Sequence, residues 1–396
     1  MPVIRYTLPK NWLQYDLREV AGPLVDAKAL VEALRTVPHR REWVESLQLM
    51  ELKREVAGTS RIEGAEFTER ELDEALSQST DQLVTRAQRQ ARAAKLTYQW
   101  IASLPDDRPI DRDIVIEIHR RIVTGADDDH CNPGELRTTD ENVTFGFPRH
   151  RGVDGGALCK RAFDLFVNAL QSTLRDHDPL IQALAAHYHL AAMHPFLDGN
   201  GRAARALEAL FLRRAGLRDT CFIAMSNYYY DEKTNYLRAL SETRQLDHDL
   251  TPFLVFGLKG IQQQTRRLLG EIQTNVKKEL FRNVMHDLFG RLQSQRRRVI
   301  STRQIQVLRH LLNHSDVALD QLIKETARFY ASLKTPTKAA IRDLNELIHL
   351  GAILVERDAD DISIRINLDW PTQITETEFF KLIRNLPRAK THLFLG

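Results

Sequence analysis

Hydrophobic positions recur with helical spacing over most of this chain, and strand-like alternation is confined to two places. Apolar residues three or four apart predict helices over Asp111–Val123 and Ala157–Leu174. An apolar run from Leu180 to Met193 follows Asp178-Pro179, a pair that favours a helix start. Before residue 105 the pattern is helical as well, with one apolar face predicted at Trp43, Leu47, Met50 and Leu52. The chain therefore predicts a mainly α-helical protein.

Two short stretches with strand character interrupt this helical pattern. Val143-Thr144-Phe145 is β-prone and lies between polar and glycine-containing turns, while Pro148 limits the length of any strand there. Near the C-terminus, residues 352–356 and 362–366 alternate around a polar turn.

In the C-terminal part the pattern predicts a long charged helix over Ile261–Phe289. Three further helices and a hairpin at residues 352–366 follow it. The three helices are predicted at Thr302–Leu312, Leu319–Tyr330 and Thr335–Gly351. Three helices and a hairpin resemble a winged helix-turn-helix module, in which the third helix reads DNA. Lys338 and Arg342 could meet phosphates, whereas Asp343 and Glu346 would repel them. Such modules also bind proteins or dimerise, so DNA, a protein partner and a homodimer all stay open.

Composition and charge set limits on the class of protein. The chain has 396 residues, of which 43% are hydrophobic and 28% charged, enough for two or three soluble domains. The net charge of +3 is too small to indicate a nucleic-acid partner by itself. Cys131, Cys159 and Cys221 are far apart, which argues against a disulfide framework or a zinc site. The start lacks an apolar signal segment and no run reaches transmembrane length, so we expect a cytoplasmic protein without membrane contact.

Chemistry-bearing residues concentrate in one stretch between two predicted helices. Its sequence is His194-Pro195-Phe196-Leu197-Asp198-Gly199-Asn200-Gly201-Arg202-Ala203-Ala204-Arg205. A glycine loop before a helix N-terminus predicts an anion site, because free N–H groups and the positive end of the helix dipole coincide there. Arg202 and Arg205 share a helix face and suit phosphate oxygens. Asp198 could hold a divalent cation, and His194 could accept a proton, as transfer of a phosphate-linked group requires.

This stretch resembles the signature of Fic domains, H-x-F-x-D/E-G-N-G-R-x-x-R, with every specified position present. The resemblance implies transfer of AMP from MgATP to a Ser, Thr or Tyr hydroxyl of a protein, including this chain itself. It implies a helical Fic core in which the β-prone stretch at Val143–Phe145 belongs to a hairpin flap that docks the acceptor segment at a strand edge. His194 would be the catalytic base and Asp198 the Mg²⁺ ligand. The nucleotide would bind to Gly199, Asn200, Gly201, Arg202, Ala203, Ala204 and Arg205, with Tyr236 stacking on the adenine.

A second, shorter pattern lies upstream at Thr59-Ser60-Arg61-Ile62-Glu63-Gly64. From the residues alone it is the end of a short polar helix with a solvated glutamate. Thr59, Glu63 and Gly64 also match the inhibitory pattern S/T-x-x-x-E-G/N of Fic proteins. That resemblance implies a salt bridge from Glu63 to Arg205, which would occupy the arginine needed by the γ-phosphate.

The resemblance leaves several functions open. Gly201 stands where Fic kinases carry lysine, which favours nucleotidyl transfer but does not distinguish ATP from UTP or another nucleotide-linked donor. Glu63 also admits the reverse reaction, removal of AMP by positioning a water. A different class of function is a DNA-binding regulator that uses the Fic fold as a nucleotide sensor without turnover.

Five segments are expected along the chain, and several polar residues are assigned structural roles. The segments are a helical region at 1–105 with the inhibitory helix at about 55–64, a Fic catalytic domain at 106–260, a connector helix at 261–290, the winged helix at 291–370 and a tail at 371–396. We expect His119 to be a structural histidine and Asp127–Asp129 to be solvated. His187 and His189 are expected either to pack within the helix bundle or to support the site without contacting the ligand.

Overall fold

The computed structural model is mainly α-helical, with two three-stranded sheets of short strands. It describes residues 3–37, 40–146, 148–215, 223–292, 294–314, 316–358 and 361–386. Within these residues the chain divides into two compact units, 1–270 and 271–396. Their boundary falls inside the longest helix, so the predicted connector is part of a helix that begins ten residues earlier, at Thr251. The described residues include no helix both long and apolar enough to cross a bilayer.

The first unit contains ten helices and the start of the eleventh among its described residues. They are α1 (Leu17–Thr36), α2 (Arg41–Ile62), α3 (Glu69–Ser77), α4 (Arg86–Ser103), α5 (Arg112–Val123), α6 (Ala157–Gln171), α7 (Pro179–Met193), α8 (Asn200–Arg214), α9 (Met225–Asp231), α10 (Lys233–Gln245) and α11 (Thr251–Gly290). A 3₁₀ turn spans Thr80–Gln82. The central helix is α7, which is alanine-rich and buried on every side. It can be buried in this way because its residues are predominantly apolar.

The predicted flap hairpin is present and gains a third strand from the start of the chain. Strand β1 (Ile4–Arg5) pairs in parallel with β3 (His150–Arg151), which pairs antiparallel with β2 (Thr144–Phe145). The residues that follow β1 bond to α7 and to the residue before α11. His189 Nε2 lies 2.8 Å from the Trp12 carbonyl, and the Leu250 N–H donates to the Gln14 carbonyl at 2.7 Å. The sequence did not predict β1 because two residues are too few for alternation to register.

Helix α2 is longer than the predicted inhibitory helix, and its buried face differs from the predicted apolar one. Met50 is exposed, whereas Glu51, Glu55 and Thr59 are buried. These residues are four apart and share one face of the helix. Glu55 accepts hydrogen bonds from Tyr98 and from the Ser226 N–H at 2.8 Å each. Leu47 of the predicted face is buried, but polar contacts also anchor this helix, and for that reason apolar periodicity identified only part of its buried face.

The contact of α2 with α9 depends on Gly58. A methyl group at Gly58 would lie 2.5 Å from the backbone of Ser226 and Asn227, whereas one at Gly270 in α11 would meet no atom within 4 Å outside its own stretch of helix. We expect Gly58→Ala to cost roughly 1–3 kcal/mol of unfolding free energy, because backbone must move. The matched Gly270→Ala should gain roughly 0.5–1 kcal/mol from helix propensity. Thermal unfolding of both variants checks this, and equal melting temperatures would contradict the close packing.

The second unit contains the predicted three helices and hairpin. The elements after α11 are α12 (Gln295–Asn313), β4 (Val317–Ala318), α13 (Leu319–Thr326), a 3₁₀ turn (Ala327–Phe329), α14 (Pro336–His349), β5 (Ile353–Asp358), β6 (Asp361–Ile366), α15 (Trp370–Gln373) and α16 (Glu376–Arg384). The strand order is β4-β6-β5, with Ile353 opposite Ile366. Assignment of this unit as a winged helix stays a prediction.

Two details of the second unit differ from the prediction for its third helix. Asp343 and Glu346 of α14 are buried, so they do not present repelling charge to a partner. Asp343 accepts from Arg303 at 2.9 Å and Glu346 from Arg297 at 3.4 Å. Arg297 and Arg303 of α12 are therefore engaged in ion pairs within the second unit.

Candidate active site

The signature stretch forms the junction between α7 and α8, as the sequence predicted. His194 follows α7 in the left-handed region, with φ 54° and ψ 58°, and Gly199 precedes α8 with φ 74°. A methyl group at Gly199 would lie 2.5 Å from Val123 Cγ1, so both conformation and space require glycine. Because α8 starts at Asn200, its first N–H groups have no acceptors within the helix. The junction therefore presents an anion-binding helix N-terminus beside an imidazole.

Asn200 and His119 fix the loop between the two helices. The Asn200 side chain accepts from the Phe196 N–H at 2.9 Å and donates to the Phe196 carbonyl at 2.8 Å. His119 stacks on the Phe196 ring, with centroids 3.7 Å apart. Its Nδ1 accepts from the Gly134 N–H at 3.0 Å, so its Nε2 carries the proton and donates to the Asp198 carbonyl at 2.9 Å. His119 is buried, as expected, and it also holds the loop that carries Asp198.

His194 has the tautomer that a general base needs. Its Nδ1 lies 3.1 Å from the Ala191 carbonyl, an acceptor, so Nδ1 carries the proton and Nε2 is left with a free lone pair. Burial lowers the pKa of His194 to about 4, and the positive charges of Arg137 and Arg244 act in the same direction. The imidazole is therefore neutral at physiological pH. On one face it stacks on Phe145 of the flap, with centroids 3.8 Å apart.

Arg137 stabilises the backbone of His194, a role that the sequence did not indicate. Its Nε and Nη2 donate to the His194 carbonyl at 2.9 and 2.7 Å. Its Nη1 donates to the Glu141 carbonyl at 2.7 Å. A non-glycine residue with positive φ carries a backbone cost, and these charged hydrogen bonds offset that cost. Nothing in local spacing signals the contact, because 57 positions separate the two residues.

The predicted ion pair between Glu63 and Arg205 is present. Arg205 Nη2 donates to Glu63 Oε1 at 2.5 Å, and its Nε donates to the Thr59 hydroxyl at 2.9 Å. Arg205 is buried, whereas 37% of the Glu63 side chain is exposed. Desolvation raises the pKa of Glu63, but the charge of Arg205 and its hydrogen bond outweigh that effect and leave the pKa below its usual value. The ion pair therefore persists above the ordinary pKa of a glutamate and would be lost only in stronger acid.

Asp127 is a site residue that the sequence analysis assigned wrongly to solvent. It is buried and forms an ion pair with Arg202, while Gln90 donates to its Oδ1 at 2.8 Å. Burial raises its pKa, but the charge of Arg202 and the hydrogen bonds from Arg202, Gln90 and Arg86 together outweigh this, so the pKa of Asp127 is lowered. Arg202 Nη2 also lies 3.5 Å from Asp198 Oδ1. Asp127 therefore fixes the first arginine of the signature beside the proposed metal ligand.

The residues around Asp198 fit a magnesium ion that arrives with a nucleotide. Among the described residues, no group of three or more His, Cys, Asp or Glu side chains forms a metal cage. Mg²⁺ in phosphoryl-transfer sites uses one or two carboxylates together with substrate phosphates and water. Asp198, 38% exposed and next to the anion-binding loop, is a suitable single protein ligand. Asp198 thus remains the predicted metal residue.

A cavity of about 210 Å³ brings the predicted residues together. His194, Gly201, Arg205, Glu63 and Tyr236 all contribute to its wall. Apolar side chains complete the wall, among them Ile62, Leu237 and Leu240. Such a mainly apolar pocket with a few polar groups is typical of a small-ligand site.

Tyr236 is fixed by neighbours at its ring and its hydroxyl. Its ring stacks on Tyr229 with centroids 4.7 Å apart. Its hydroxyl is 2.9 Å from His187 Nε2, and it accepts from Arg205 Nη1 at 3.5 Å. His187 in turn bonds to the buried Glu208. His187 therefore supports Tyr236 in addition to packing, and stacking of Tyr236 on an adenine stays a prediction.

The low pKa of His194 predicts that the catalytic rate does not fall as the solution becomes mildly acidic. A base with a pKa of about 4 stays neutral as the pH falls from 8 to 5.5, so it should not reduce the rate over that range. The measurement is the turnover number of a Glu63→Gly variant at saturating MgATP, for the AMP transfer that the signature predicts. Saturation removes the effect of protonating free nucleotide. A loss of rate with a midpoint near the ordinary histidine pKa of about 6.5 would contradict the assignment of His194 as a neutral base with a lowered pKa.

Comparison with known families agrees with this geometry. Residues 109–212, which include the whole helix junction, match the sequence model of the Fic/DOC family. This part of the chain is therefore a Fic domain.

Similar proteins extend the match beyond that segment. Protein adenylyltransferase fic-1 of Caenorhabditis elegans is 29% identical over 166 residues, which are 42% of this chain and 30% of that protein. Protein adenylyltransferase Fic of Culex quinquefasciatus is 36% identical over 143 residues, covering 36% of this chain and 26% of that protein. The chain thus matches less than a third of the length of these relatives.

Solved structures share the fold at low sequence identity. A Fic family protein from Desulfovibrio desulfuricans G20 superposes with a TM-score of 0.56 at 17% identity, covering 91% of this chain and 98% of that chain. Fic-1 from C. elegans, residues 134–508, superposes with a TM-score of 0.53 at 22% identity, covering 64% of this chain and 73% of that chain. The first of these resembles this chain over most of its length.

Proposed function

We propose that the protein is an adenylyltransferase that moves AMP from MgATP to a hydroxyl group of a protein. The observation that carries the proposal is the helix junction, where the free Nε2 of His194 lies beside the N-terminus of α8. The names of the similar proteins, adenylyltransferases at 29–36% identity, support the same reaction. Ser, Thr and Tyr of a target, or of this chain itself, are the acceptors.

In the proposed reaction His194 accepts a proton and the start of α8 binds the phosphates. His194 Nε2 takes the proton of the acceptor hydroxyl while the oxygen of that hydroxyl forms a bond to the α-phosphorus. The bond from that phosphorus to the oxygen bridging to the β-phosphate breaks, and pyrophosphate leaves. Backbone N–H groups at Gly199–Gly201 stabilise the charge on the α-phosphate oxygens. A magnesium ion held by Asp198 would supply positive charge to the phosphates.

In this proposal Glu63 inhibits the site. Its carboxylate occupies Arg205, the residue proposed to bind the γ-phosphate. A methyl group on Gly201 would lie 2.5 Å from Glu63 Oε1, so the carboxylate also lies directly against the start of α8. A carboxylate in that place repels phosphate by charge and excludes it by volume. Activation therefore requires Glu63 to leave.

Intact-protein mass spectrometry tests the proposed reaction directly. The Glu63→Gly variant is incubated with Mg²⁺ and ATP, UTP or GTP in parallel, and peptide mapping locates any modified side chain. We expect the mass of one or more adenylyl groups from ATP, attached to a hydroxyl. Tight ATP binding without any added mass would support a nucleotide sensor instead, and addition of UMP in place of AMP would change the donor.

A further inference from the structure

A second cavity, of about 290 Å³, lies on the other side of Glu63 from the first. It is lined by the loop that follows α2, by the first turns of α4, and by Asp198 and Arg202 of the signature. Within the described residues, Glu63 is the side chain shared by the two linings. The first cavity is mainly apolar, whereas charged and amide groups line the second. Departure of Glu63 would therefore join an apolar compartment to a polar one.

Arg86 supplies a cation to this polar cavity from outside the signature. It is the first residue of α4, whose start is fixed by a capping box between Thr85 and Gln88. Its Nε donates to Asp127 Oδ1 at 2.7 Å, and its Nη2 lies 2.5 Å from the same oxygen. Asp127 is buried, but 43% of the Arg86 side chain is exposed. The buried carboxylate thus holds one edge of the guanidinium while the rest faces the cavity.

Asp127 orients two arginines around Asp198. Arg202 pairs with the second oxygen of Asp127, and its Nη2 lies 3.5 Å from Asp198 Oδ1. Arg86 Nη2 lies 3.4 Å from the other oxygen of Asp198. The carboxylates of Asp127 and Asp198 balance the charges of Arg86 and Arg202, so these four side chains carry no net charge. With a magnesium ion at Asp198 the group would become positive and would suit the phosphates of a nucleotide.

We propose that Arg86, at the edge of this cavity, binds the β- and γ-phosphates of the nucleotide and the departing pyrophosphate directly, together with Arg202 and Arg205. The inference rests on the proposed function. A phosphate bound next to Asp198 lies within reach of Arg86, because the guanidinium is 3.4 Å from that carboxylate. The planar fork of arginine suits two phosphate oxygens. Asp127 acts as the positioning residue for Arg86 and Arg202.

Calorimetric titrations of nucleotides of different phosphate number test this role. The Glu63→Gly protein is titrated with MgATP, MgADP, AMP and inorganic pyrophosphate, with and without Arg86→Ala. We expect the Kd for ATP and for pyrophosphate to rise roughly 10-fold, a change of about 1.4 kcal/mol, while the Kd for AMP stays within about twofold. Arg86→Lys keeps the charge but loses the fork, so it should weaken ATP less.

A matched control variant distinguishes direct binding of phosphate by Arg86 from a general effect of the substitution on α4. Arg89→Ala, one turn further along α4, removes a guanidinium that bonds to the Val84 carbonyl and should leave each Kd unchanged. Equal loss for AMP and ATP, or unchanged ATP and pyrophosphate binding, would overturn the role of Arg86. If the Glu63→Gly parent transfers AMP in either case, the proposed function survives; a parent that transfers none defeats the proposed function instead.

Discussion

Replacing Glu63 by glycine is expected to raise the rate of AMP transfer roughly 10- to 100-fold. The change frees Arg205, which in the structure donates to Glu63 at 2.5 Å. Hydrogen bonds to charged groups contribute about 1–3 kcal/mol, and each 1.4 kcal/mol is about tenfold in apparent affinity. The measurement is incorporation of label from α-labelled ATP at a concentration below saturation.

Two further variants give this test its control. Glu63→Gln keeps the size of the side chain but removes its charge, so it should activate less than glycine does. Glu42→Gly removes an exposed carboxylate from the opposite end of α2 by the same replacement and should leave the rate unchanged. Equal rates for the parent, the glutamine and the glycine variants would mean that Glu63 does not restrain the enzyme.

Replacing His194 by alanine in the Glu63→Gly protein is expected to lower the turnover number by at least about 100-fold. Only its Nε2 is placed to accept the proton, since Nδ1 donates to the Ala191 carbonyl. The affinity for MgATP should change little, because the phosphates bind to α8 and the arginines. Single-turnover kinetics and calorimetry separate these two quantities.

A second replacement separates loss of the imidazole from strain in the backbone at position 194. His194 has a φ of 54°, which alanine adopts reluctantly, whereas asparagine tolerates it. His194→Asn should therefore keep the melting temperature of its parent and still lose turnover. An asparagine variant with near-parental turnover would show that the proton leaves by another route.

Local sequence was enough to predict the centre of the site. The residues from His194 to Arg205 are consecutive, so the helix junction and its anion-binding N-terminus follow from glycine, helix capping and side-chain spacing. Thr59 and Glu63 are one helical turn apart, which explains why both reach Arg205 from the same face of α2.

The supporting contacts could not be predicted because the fold brings distant positions together. Asp127 and Arg202 are 75 positions apart, and Arg86 and Asp198 are 112 apart. The three neighbouring aspartates at 127–129 look alike in the sequence, and burial alone distinguishes Asp127 from the other two. The polar anchoring of α2 was missed for a related reason, since Glu51 and Glu55 interrupt the apolar pattern that reveals a buried face.

The central claim is that the imidazole of His194 and the phosphates meet at the junction of α7 and α8. A crystal structure of the Glu63→Gly protein with Mg²⁺ and a non-hydrolysable ATP analogue tests it most directly. We expect the α-phosphate at the backbone N–H groups of Gly199–Gly201, with His194 Nε2 facing it. An analogue bound elsewhere, with solvent at the start of α8, would contradict the account.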